Sequence, residues 1–85
     1  MSDSVTSVMN CIREVFAGKG QIPPPLEPQT AIDESLGLRS LDIAELVIRL
    51  DGEFGWEPLA QGLDLRSVSI ERLARIYENR PPAAS

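Results

Sequence analysis

Apolar residues near the start of the chain recur at steps of three and four: Val5, Val8, Met9, Ile12, Val15 and Phe16. That spacing predicts an amphipathic helix over about residues 3–17. Asp3 or Ser4 is placed to cap it, and the Gly18-Lys19-Gly20 run to stop it. The prolines of IPPPLEPQ then forbid a regular helix, so residues 18–39 form a long connection. A loop of that length in a small domain signals function or local ordering. Leu26, Ile32, Leu36 and Leu38 are positioned to pin it across the bundle, and TAIDESL suits a short helical turn capped by Thr30. Helical periodicity resumes over 40–54 and stops at Gly55. Beyond GWEPLAQG, the apolar residues Leu63, Leu65 and Val68 suggest a short helix near 64–68. Ser69 then reads as the N-cap of a last helix, 69–79, with Ile70, Leu73, Ala74, Ile76 and Tyr77 on its buried face. Pro81 and Pro82 end it, leaving a frayed tail over 81–85. No strand pattern of comparable length and no internal repeat is visible. The expected fold is all-α: one domain, 1–85, of three main helices and a short one, with a long loop between the first two.

The middle helix carries more apolar surface than a core face needs. At about 100° per residue, Ile43, Leu46, Val47, Leu50 and Phe54 cluster on one side, which is the core face. Leu41, Ala44 and Ile48 fall within about a 60° sector roughly opposite. Glu45 and Asp51 flank them, and Asp42, Arg49 and Glu53 take a third, charged side. The outer stripe either packs beneath the proline-rich loop or forms an apolar docking patch with an acidic rim.

Composition narrows the function. The formal charge is −5, from 13 acids against eight bases, and Lys19 is the single lysine. A nucleic-acid binder needs the opposite balance, and an anionic membrane would repel this surface. A basic protein partner is the natural complement. One cysteine and no histidine exclude an intrachain disulfide and His-based metal or base chemistry, which argues against an enzyme. Cys11 falls inside the first helix with no basic neighbour evident in sequence, so a buried, unreactive thiol is expected. The N-terminal MSDSVTSVMN lacks the pattern of a signal peptide, and no apolar run is long enough to span a bilayer. A cytoplasmic monomer is the expectation.

Ser40 stands where loop becomes helix. It is read as the N-cap; position N3 is then Ile43, so the reciprocal capping partner is missing. Held at an exposed helix tip, where backbone N–H groups favour phosphate, its hydroxyl also suits an anion or a covalent modification. No histidine is present to make it a hydrolytic nucleophile.

LGLRSLDIAELVIRLDGEFG resembles the acyl carrier protein family, whose hallmark is a Leu-Gly-x-Asp-Ser-Leu run leading into an acidic helix. The likeness extends to Thr30-Ala31-Ile32 and to SVSIERLARIYEN, and so covers most of the chain. The resemblance implies a carrier, not an enzyme, with 4′-phosphopantetheine attached to Ser40 and an acyl or aminoacyl group held as a thioester. It implies that a phosphopantetheinyl transferase installs the arm from coenzyme A. Loading and transferring enzymes with basic docking surfaces would meet Arg39, Leu41, Ala44, Glu45, Ile48 and Asp51. Cargo would fold back near Leu46, Leu50, Leu63 and Val68. Arg39 stands where the family usually has Asp, and Ser35 replaces a common acid. Guanidinium reverses the local field and donates bonds that fit phosphate, which points to a specialised carrier for a secondary pathway or an amino acid. A blander reading of Arg39 is that it simply faces water, and the alternative function is an unmodified acidic helical interaction module.

Overall fold

The computed structural model describes residues 3–62 and 67–80, and these form a small all-α bundle. Helix α1 spans Asp3–Gly18, α2 spans Ser40–Phe54 and α3 spans Ile70–Glu78. Single turns of 3₁₀ helix occupy Glu34–Leu36 and Leu59–Gln61. Helix α1 packs against both α2 and α3, because its apolar stripe is wide enough to serve two neighbours. Val8, Ile12 and Val15 are fully enclosed, with Val5, Met9, Cys11 and Phe16 buried beside them. From α2 come Leu46 and Leu50; from α3 come Ile70, Leu73, Ala74 and Tyr77. Ile43, Val47, Phe54 and Ile76 are only partly buried, on the shoulders of the same core.

The long loop is ordered by α3. A helix begins with N–H groups that have no partner inside it. Here the Ile70 N–H donates to the Thr30 carbonyl (2.9 Å) and the Glu71 N–H to the Pro28 carbonyl (2.7 Å). Ser69 caps the next one, its Oγ accepting from the Arg72 N–H at 3.1 Å. The Ile32 N–H donates to the Val68 carbonyl at 2.8 Å, which completes an isolated antiparallel bridge between Ala31 and Ser69. Ile32 and Leu38 sink into the core while Leu26 and Leu36 pack against it. Ile22, beside the prolines, stays 92% exposed.

One local expectation is corrected. Thr30 does not cap TAIDESL: its Oγ1 accepts from the Glu27 N–H (2.9 Å), and Asp33 caps the 3₁₀ turn by accepting from the Ser35 N–H (2.9 Å). The carboxylate of an Asp two residues before an N–H closes such a turn more readily than a β-branched Thr five residues away. A further turn forms at Leu59–Gln61, where Pro58 supplies a fixed φ and Gly62 (φ 86°) the left-handed exit. The short helix expected near 64–68 falls largely outside the described residues; Ser67 lies in a turn at φ 53° and Val68 is extended into the bridge. The expected tail over 81–85 is also outside them.

At its far end α2 is tied to α3 by aromatic side chains. The Phe54 and Tyr77 rings lie 5.1 Å apart, with Trp56 edge-on to Tyr77 at 6.2 Å. The Trp56 indole N–H donates to the Tyr77 carbonyl at 2.9 Å, satisfying one of the carbonyls α3 leaves over. Among the described residues, no helix is long and apolar enough to cross a membrane.

Candidate functional site

The N-terminus of α2 is built by its third residue. Asp42 Oδ2 accepts from the Arg39 N–H at 2.9 Å, reaching back over the first turn. Arg39 is therefore the N-cap, with an extended backbone (φ −88°, ψ 170°), and Ser40 is the first helical residue. This corrects the expectation that Ser40 caps the helix. Moving the boundary by one residue puts an acid at N3, so the back-reaching half of a capping box exists after all. The guanidinium of Arg39 has no lone pair with which to return the bond. Ser40 is exposed, and its side chain has no hydrogen-bond partner among the described residues.

Asp42 itself is not on a solvated charged face. It stands four residues before Leu46, only about 40° round the helix from it, and is buried. Lys19 supplies its counter-charge: Nζ donates to Asp42 Oδ2 at 2.9 Å and to the Gly37 carbonyl at 3.1 Å, while lying 5.3 Å from the centre of the Phe16 ring. The Arg39 N–H, and next the Lys19 ammonium, hold the Asp42 carboxyl below its ordinary value of 3.8. Gly37 has φ 102°, a region a side chain disfavours, and this lets the chain reverse over Phe16 before entering α2.

On one side of Ser40 lies a cleft of about 530 Å³. Ile32, Ile43, Val47 and Leu59 form its apolar walls; Asp33, Glu34, Ser35, Ser40 and Ser67 form its polar lining. Leu46, Leu50 and Val68, which were expected to enclose cargo, do not line it and are buried in the core. Leu63 is outside the described residues. The difference is a matter of rotation: Leu46 and Leu50 face the core, so the open space is left over the neighbouring column. Ser40, Ile43 and Val47 follow one another at i, i+3 and i+7, and that spacing was visible in sequence. Ile32, Leu59 and Ser67 join them only through the tertiary fold.

On the other side of Ser40 runs the outer stripe. Leu41 is 81% exposed and Ile48 70%, with Ala44 and Glu45 also exposed between them. The proline-rich loop does not cover them. Arg39 is exposed beside Ser40. Asp51, assigned to the same surface, is half-buried, and its Oδ1 accepts from the Tyr77 hydroxyl at 2.7 Å. Its first task is to hold α3 to α2. Arg49 joins α2 to α1 through Glu14 (3.2 Å) and braces Glu45 (3.7 Å).

Compared with known proteins, the chain matches no family model, no curated protein and no solved structure.

Proposed function

We propose that this protein is a carrier that bears 4′-phosphopantetheine on Ser40 and presents an acyl or aminoacyl group to partner enzymes. The observation that carries this reading is the setting of one hydroxyl: Ser40 is exposed at a helix N-terminus, between an apolar cleft and an exposed apolar stripe. The residues present fit such an arm. Ser40 Oγ is unencumbered, first-turn N–H groups and the exposed Arg39 favour a phosphodiester, and the cleft beside it offers room for an apolar group. When attached, the arm supplies a terminal thiol that holds cargo as a thioester. In the modification, a transferase takes the Ser40 hydroxyl proton, a new P–O bond forms to Oγ, and the pyrophosphate P–O bond of coenzyme A breaks to release adenosine 3′,5′-bisphosphate.

Leu41, Ala44 and Ile48 give partner enzymes an apolar contact, with Glu45 to steer a basic surface into register. Arg39, in the place of the usual acid, suits a specialised transferase and partners. Incubation with coenzyme A and a broad-specificity transferase is expected to add about 340 Da, the mass of the arm, and S40A to abolish the gain. No gain with several transferases rejects the proposal. The exposure of Leu41 and Ile48 serves equally a second reading, an acidic interaction module without an arm. Native protein with unmodified Ser40 that keeps its partner after S40A favours that alternative.

A further inference from the structure

Lys19 lies outside the α2 surface and the cleft, yet its ammonium touches the chain on both sides of Ser40. It donates to the Gly37 carbonyl before the serine and to the Asp42 carboxylate after it. The same Asp42 oxygen accepts from the Arg39 N–H, inside the segment so bracketed. Residues 37–42 thus form a crown closed at its base by one cation, with Ser40 facing out. The base is sheltered: the Lys19 and Asp42 side chains are 21% and 12% exposed. The Phe16 ring lies under the ammonium and beside Gly37, so the last turns of α1 serve as a platform.

We infer that Lys19 is a positioning residue for the modification of Ser40, acting through Gly37 and Asp42 to hold the serine hydroxyl in one place. The inference rests on the carrier reading and adds a residue from the turn after α1 that the α2 motif does not contain. Asp42 alone could cap α2 without Lys19, since the Arg39 bond is complete by itself. The Gly37 bond is what a cap does not require, and it fixes the approach of the chain to Ser40. Loosening it leaves Ala44 and Ile48 where they are, because that part of α2 is anchored by Leu46 and Leu50. Docking is then preserved while the hydroxyl wanders, and a small misplacement of a reacting atom is costly in rate.

The test is steady-state arm transfer to the wild type, K19M and K19R. K19M is expected to lower kcat about tenfold, with KM for the carrier unchanged; K19R, whose fork still reaches two acceptors, is expected to restore most of it. An unchanged kcat in K19M, a loss confined to KM, or no rescue by arginine overturns the proposal. Amide hydrogen exchange tests the clamp apart from the arm. In K19M, exchange is expected to rise at residues 39–42 and to stay unchanged in α3; equal exchange in both proteins overturns the clamp whether or not Ser40 is modified. A wild-type chain that gains no mass rejects the carrier reading instead, and with it the role of the clamp in transfer.

Discussion

Asp42 is paired with an amide and an ammonium; the amide contact is local to the start of α2, and the ammonium contact exists only when the end of α1 and α2 are assembled. Its folded carboxyl is held below its ordinary 3.8. A group with a depressed folded pKa stabilises the fold above its unfolded pKa, and that stability is lost as pH falls through the folded value. Melting temperature is therefore expected to drop below about pH 4, and D42N is expected to flatten that acid limb when melts are compared across pH. Cys11 is shifted the other way. Burial first, then Glu14 and Glu53, push its thiol up to about 11, against the lowering influence of Arg49. At about pH 8 only about one thiol in a thousand is then ionised. Alkylation of the folded protein is expected to be slow and to speed up sharply in denaturant, as a thiol-reagent titration will show.

Among the elements, α2 separates its two stripes cleanly. Leu46 is buried in the core, whereas Ile48, two residues on, is 70% exposed. L46A is expected to cost about 2–5 kcal/mol in denaturant unfolding, as a core truncation. I48E is expected to stay within about 0.5 kcal/mol of wild type while weakening transfer from partner enzymes; unfolding of I48E would place that stripe in the core. Helices α2 and α3 meet at the Tyr77 hydroxyl and Asp51. Y77F is expected to cost about 1–2 kcal/mol. D51A should cost more, because it strands a buried hydroxyl, and the double variant should cost less than the two singly. Additive losses in that cycle would show that Asp51 serves another contact.

For the whole molecule, charge and exposure combine. On the proposed carrier reading, a net charge of −5, with Glu45 beside the exposed Leu41 and Ile48, is expected to make association with a basic partner depend on salt. Affinity measured over increasing ionic strength is expected to fall, chiefly through a slower on-rate, while I48E at low salt should instead raise the off-rate. A salt-independent affinity would remove electrostatic steering from the account.

Much of this architecture was legible along the chain. Helical periodicity placed α1, α2 and α3, because an apolar step of three and four has one regular solution in a small globule. Ser69 as a cap, Gly55 as a stop and the grouping of Leu41, Ala44 and Ile48 in one sector followed from local rules of the same kind, whereas the exposure of that sector was decided by the fold. Asp42 did not, because a wheel assigns angles without knowing that Lys19 closes over that sector. Nor did the cleft, since α1 had first to choose which column of α2 it would cover. The 3₁₀ turn at Leu59–Gln61 is shorter than the window in which a period can be counted.

Sequence by itself determined the helices, the acidic balance and a serine at the start of α2, since propensity, spacing and formal charge act between near neighbours. Only the tertiary structure decided that Asp42 and Lys19 pair, that Asp51 holds Tyr77, and that open space lies over Ile43 and Val47. These depend on residues 23 to 26 positions apart, or on which faces meet, and such contacts carry no periodic signal in the chain.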